Sequence, residues 1–315
     1  MTLQTVFPPS ILPASSSSSF SFSSSTPGPL SLLALLILLP PTIYFIHRDY
    51  QSFLSLGAGG TPQNLTGYLR IKLLSLFALP NTRIPAPIPA DLRQNGYLSS
   101  LPPRAGPRPT VAGIAPHRQT SQRSPSPSTP YTSLVARIQA LAQDPLNSLV
   151  EGTSCFEKHG TGLFSLRPLT RTCRGEVCHV HGSDGSLHMT LYPADAKLVI
   201  ERGWGERHPI ARGGFFARFV PKHFVMVYAP RDEDEVETVM RIVGAAVWWV
   251  SGECVGMDEG VMRDGRARSE SDEKVVEVVR ESDGDPEWVG KHMPERFCLG
   301  CRQKQYGRMQ QACTS

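Results

Sequence analysis

The chain has 315 residues, 40% of them hydrophobic, with 28 prolines and 27 glycines so unevenly spread that much of it lies outside any packed core. Its 32 bases and 28 acids leave a formal charge of +4, and no run of Lys and Arg is interleaved with aromatics, which argues against nucleic acid as a partner. Seven cysteines without regular spacing do not form an extracellular disulfide framework and point to a reducing compartment.

Residues 1–29 carry no charge and include a serine-rich run from Ser15 to Ser25, read as disordered. Leu30 to Ile46 is uncharged and dominated by Leu and Ile, with a length at the short end for a membrane span. Pro40 and Pro41 are expected to kink that helix. No basic segment precedes it, so a retained anchor is expected rather than a cleaved signal. Arg48, Arg70 and Lys72 follow the span, which places the remainder on the cytoplasmic side of a single-pass protein. Within the juxtamembrane segment 47–80, Tyr68 to Leu79 reads as a helix at the membrane surface, or equally as an ordinary core helix.

Residues 81–130 are rich in proline and serine, as a mostly extended linker is, with room to wrap the domain as well as to hang free. The folded domain is expected over 131–255. Leu134, Val135, Ile138 and Leu141 recur at helical spacing until Asp144-Pro145. Phe164 to Leu166, Val177 to His181, Leu187 to Tyr192 and His223 to Tyr228 are strand-like, and Ala194 to Arg202 is a short helix. Asp232 to Val250 has an apolar stripe from Val236 to Val250 behind an acidic start. The fold class expected is α+β, an antiparallel sheet packed by helices, preceded by one transmembrane helix and a proline-rich linker. The tail 256–315 is charged and mostly disordered; Cys298, Cys301 and Cys313 with His292 would hold zinc there only by converging.

His179, His181, His188 and His208 are four of the nine histidines. A two-residue Asp184-Gly185 turn sets His181 opposite His188, with His179 on the same face. Three such imidazoles can ligate a metal, with His159 or His208 as a further ligand, or act as bases. A solvated polar face is the plain alternative. Gly203 to Pro209 is a loop by composition, in which Trp204 can stack on a planar ligand and Arg207 can hold an enolate or a carboxylate. Trp204 serves equally well as a core plug. No nucleophile elbow, P-loop or dinucleotide fingerprint is present.

His47 to Leu54, Pro62-Gln63-Asn64, Gly67-Tyr68 and Leu74 to Phe77 follow a single span. His179-Val180-His181, Leu187-His188, Gly203 to Pro209 and Tyr228 to Glu233 come after them in order. Leu101-Pro102, Arg108-Pro109, Thr153-Ser154, Phe156-Glu157 and His159 lie between. In this set the chain resembles the fungal luciferase family, from Ile46 to about Val250. The resemblance implies a membrane-anchored oxygenase that adds O2 to a hydroxylated pyrone, with no cofactor known to be required. Such chemistry needs a base, a charge stabiliser and a dry pocket. His179, His181 or His188 and His208 are then the acid–base candidates, with Arg207 as the stabiliser. Trp204, Tyr228 and His159 are the candidate substrate contacts. The other functions in play are a membrane-tethered binding protein for a small aromatic metabolite and a metalloenzyme built on His179, His181 and His188.

Overall fold

The computed structural model of the chain describes residues 28–170 and 172–255. The expectations for the serine-rich start before residue 28, and for the tail with its cysteines, lie outside the described residues. By internal contacts the chain divides after Asp49. Helix α1, Pro29–Ser55, is continuous through Pro40 and Pro41 and runs beyond the expected end at Ile46. It is long and apolar enough to cross a membrane.

The second unit begins at Tyr50. Helix α2, Leu65–Ser75, starts earlier than its apolar pattern indicates because the Asn64 side chain accepts from Gly67 N–H and satisfies one of the free donors of the first turn. One face, Tyr68 and Ile71, is buried, while Leu65, Leu69 and Leu73 form a second apolar stripe that is exposed.

Two short strands, β1 (Val111–Gly113) and β2 (His117–Gln119), pair antiparallel inside the stretch expected to be a linker. Gly113 turns the chain between them at φ +79°, and a Cβ there would lie 2.1 Å from the Pro116 carbonyl, so only glycine fits. Proline-rich composition describes chain without helical periodicity, and here that chain packs: Leu98, Leu101, Ile114, His117, Arg118 and Gln119 are all buried.

Helix α3 (Thr129–Gln143) ends at Asp144 as its pattern requires. Strands β3 (Leu149–Thr153), β4 (Thr161–Ser165), β5 (Glu176–Val180) and β6 (Leu187–Thr190) lead to helix α4 (Pro193–Glu201). Strand β7 (Gly205–Arg207), a 3-10 turn at Gly214–Arg218, strand β8 (Phe224–Val227) and helix α5 (Glu233–Ser251) complete the described elements. The sheet order is β3-β4-β5-β6-β8-β7, antiparallel throughout. Composition made Gly203 to Pro209 a loop; its middle is instead the edge strand β7, since pairing with β8 supplies hydrogen bonds that composition does not foretell.

Strand alternation gives the sheet two different faces. Leu163, Cys178, Leu187, Met189, Val225 and Val227 point to a core shared with α3 and α5. Helix α5 is fixed at its start by the Asp232 side chain, which accepts from Glu235 N–H, and at its end by Gly252 in the left-handed region. The opposite face carries the histidines and Phe224. Phe224 belongs to a smaller core with Phe53, Tyr68, Ile71, Ile114 and Ile210.

Candidate active site

The histidine hairpin has a different register from the one a two-residue turn would set. His179, not His181, stands opposite His188, and the connecting loop spans four residues beyond the His181–Ser186 pair. The cause is Asp184. Its Oδ1 accepts from Ser186 N–H (3.0 Å) and Ser186 Oγ–H (2.9 Å), and its Oδ2 accepts from Gln119 N–H (2.7 Å), so it is drawn in rather than left at a tight turn. The slip is two residues, which keeps His179, His181 and His188 on one face.

Among the described residues, five imidazoles gather there. His179 and His181 come from β5 and its loop, His188 from β6, His208 from just after β7, and His117 from β2. Each is 6% exposed or less. His188 is the hub: its ring centroid lies 4.7 Å from that of His181, 5.2 Å from His117, 5.3 Å from His179 and 5.4 Å from His208. Phe224 stacks on it at 5.2 Å. Burial, followed by the neighbouring imidazoles, pushes the pKa values of His117 and His188 well below the ordinary histidine value. Burial likewise lowers His181, and takes His208 to about 4.

Hydrogen bonds locate the protons. Ser186 Oγ donates to Asp184, so it receives the His181 Nδ1 proton at 2.9 Å. His179 Nδ1 faces Glu176 Oε1 at 2.7 Å, an oxygen that also accepts from Ser154 Oγ, so the His179 N–H is engaged there. Both Nε2 atoms are buried and have no hydrogen-bond partner among the described residues. His181 Nε2 does come within 3.4 Å of Glu157 Oε1, without the geometry of a bond. His208 is satisfied instead: Nε2 lies 3.0 Å from the Ile114 carbonyl, and Nδ1 accepts from Ile210 N–H.

Beside His179 and His181 lies a cavity of about 350 Å³, also lined by Arg118, Tyr131, Glu157 and Gly162. Arg118 and Glu157 form a two-pronged ion pair at 2.8 and 2.6 Å. Burial alone would raise the Glu157 pKa, but the Arg118 hydrogen bond and the nearby histidines hold it below the ordinary value. His159 is exposed and lines the same cavity.

Three residues expected at the site lie elsewhere. Trp204 is 3% exposed in the main core, its Nε1–H donating to the Pro102 carbonyl at 2.7 Å. The core takes the indole because its one N–H finds a carbonyl there. Tyr228 is buried with its hydroxyl donating to Glu206 at 2.8 Å, and the Arg104 guanidinium lies 5.6 Å from its ring. Arg207 is buried and donates to the Ala211 carbonyl. None of the three lines the cavity. Arg118 is the guanidinium that does. His117, Arg118 and Glu176 escaped sequence reasoning, since a lone His-Arg pair in proline-rich chain has no periodicity to place it. Glu157 was within the motif set, but without a partner assigned.

A family model described as "Luciferase domain" matches residues 174–246, which contain His179, His181, His188 and His208. A luciferase of Armillaria gallica is 32% identical over 230 residues, covering 68% of this chain and 84% of that protein. A luciferase of Neonothopanus nambi is 31% identical over 230 residues, covering 67% of this chain and 83% of that protein. No solved structure matches the chain. With this much of those proteins spanned at this identity, the chain belongs to the fungal luciferase family.

Proposed function

We propose that the chain is a membrane-anchored, luciferase-like oxygenase that combines O2 with a hydroxylated pyrone or a similar enolisable aromatic metabolite. One observation carries this reading: His179 and His181, each with a buried Nε2 that lacks a hydrogen-bond partner among the described residues, line a cavity together with Arg118. Imidazoles and a guanidinium lining one cavity favour an enolate over its enol. An enolate is electron-rich enough to pass an electron to O2, which is the step such an oxygenation requires. The cavity, about 350 Å³, suits a ligand of two fused or linked rings.

Membrane anchoring is supported by the apolar α1 and by the exposed Leu65, Leu69 and Leu73 stripe of α2, flanked by Arg70 and Lys72. Arg48, Arg70 and Lys72 after the apolar helix support a cytoplasmic domain. Full-length chain in detergent or nanodiscs would be given 3-hydroxyhispidin and simpler 3-hydroxypyrones while O2 uptake, CO2 release and photons are followed. Uptake with release of CO2 is expected for at least one of them, with light read as a separate property of the product. Tight binding without O2 uptake by any pyrone would overturn the enzymatic reading in favour of a binding protein.

A further inference from the structure

We propose that His179, His181 and His188 form a binding site for one divalent first-row transition-metal ion. Their candidate ligand nitrogens lie within 4.8 Å of one another, and all three residues are buried. The stronger argument is the fate of the lone pairs. His179 and His181 each engage Nδ1 with a neighbouring side chain, Glu176 and Ser186, and keep a buried Nε2 without a hydrogen-bond partner among the described residues. A buried polar nitrogen without a partner is destabilising, and here two lie in one cluster whose candidate ligand atoms are within 4.8 Å of one another. A single cation between them satisfies both.

The outer contacts follow the pattern of a metal centre. A ligating histidine is usually oriented by a carboxylate or carbonyl on its other nitrogen. His179 has Glu176 Oε1 at 2.7 Å, which is itself held by Ser154; His181 has Ser186, which is held by Asp184. The third member, His188, is oriented by His117 Nδ1 at 3.0 Å. The other close triad, His117, His188 and His208, is a poorer site because both His208 nitrogens already have partners. An all-imidazole donor set suits zinc, copper, iron or nickel rather than calcium or magnesium. The cavity is lined by His179 and His181, so a ligand for an ion held between them would approach from that side.

The site stands on this geometry alone. Its catalytic role rests on the oxygenase reading: an ion held there would bind the enol oxygen of a hydroxypyrone and favour loss of its O–H proton to water, in place of direct proton uptake by the ligating imidazoles. The imidazoles then act on the substrate through the ion. Metal binding without O2 uptake would thus sink that reading and leave the site intact.

The test uses full-length chain, stripped with a chelator and titrated with Co2+, Zn2+ and Fe2+ while visible absorption and Tm are followed. Binding of one equivalent per chain with a raised Tm is expected. Glu176→Gln should weaken Co2+ binding by about tenfold or more, since it loosens the orientation of His179. His179→Ala with His181→Ala should abolish it, whereas His223→Gln, outside the cluster, should bind as the unaltered chain does. If the unaltered chain takes up none of the three ions, the proposal fails, whether or not the variants fold. It fails equally if the folded double variant binds Co2+ as tightly as the parent.

Discussion

His117 Nδ1 lies 3.0 Å from His188 Nε2, and the two rings stack at an angle of 16°. This contact joins a strand of the proline-rich segment to the inner part of the main sheet. His117→Phe keeps the ring volume but leaves the His188 nitrogen buried and unpaired. The expected loss is about 1–3 kcal/mol, read from the denaturant midpoint. An unchanged midpoint would show that the bond contributes nothing.

Asp184 serves three donors from two segments, Ser186 twice and Gln119 once. Asp184→Ala removes an acceptor from each of them. A loss of roughly 2–4 kcal/mol is expected from the stranded donors, together with a larger KM as the His181 loop relaxes. If the variant kept its stability while losing turnover, the carboxylate would have a direct role instead.

Trp204 belongs to the core rather than to the cavity, so its replacement should register as stability. Trp204→Ala is expected to cost about 3–5 kcal/mol. In the milder Trp204→Phe, KM for any accepted pyrone should stay as it is. A marked rise in KM for the Phe variant, with Tm unaltered, would return Trp204 to the substrate wall.

Glu235 receives hydrogen bonds from Arg104 (3.2 and 3.0 Å) and from Arg231. Burial pushes its carboxyl up, but the Arg231 and Arg104 hydrogen bonds more than offset this and leave the pKa below its ordinary 4.5. The folded form therefore binds that proton more weakly than the unfolded chain. Its stabilisation is complete above about pH 4.5 and fades as pH falls through the lower folded value. Glu235→Gln should cost roughly 3 kcal/mol at neutral pH. Stability curves of parent and variant should draw together on acidification; a gap independent of pH would contradict the assignment.

The sheet was legible where strands alternate cleanly. Cys178, Leu187 and Met189 on one face and His179 and His188 on the other follow from period two alone. Helix α5 was legible too, from its apolar stripe and acidic start. Register was not, because whether Asp184 caps a loop or sits at a tight turn depends on Gln119, 65 positions away in sequence. The same holds for Trp204: an indole between glycines reads alike whether it stacks on a ligand or donates to a carbonyl 102 positions distant. His117 had no local signal at all. It acquires its place only when Gly113 folds the segment back and lays β2 against the histidine face.

The β1–β2 ribbon has a practical corollary. A fragment cut at Tyr131, where helical periodicity first invites a cut, would retain four of the five clustered imidazoles and discard the fifth. It would also discard Arg118, the partner of Glu157, and Gln119, a donor to Asp184. Water would then reach His188, and a hairpin braced from two sides would be braced from one. Inactivity of such a fragment would therefore report on the missing ribbon and not on the chemistry of the family.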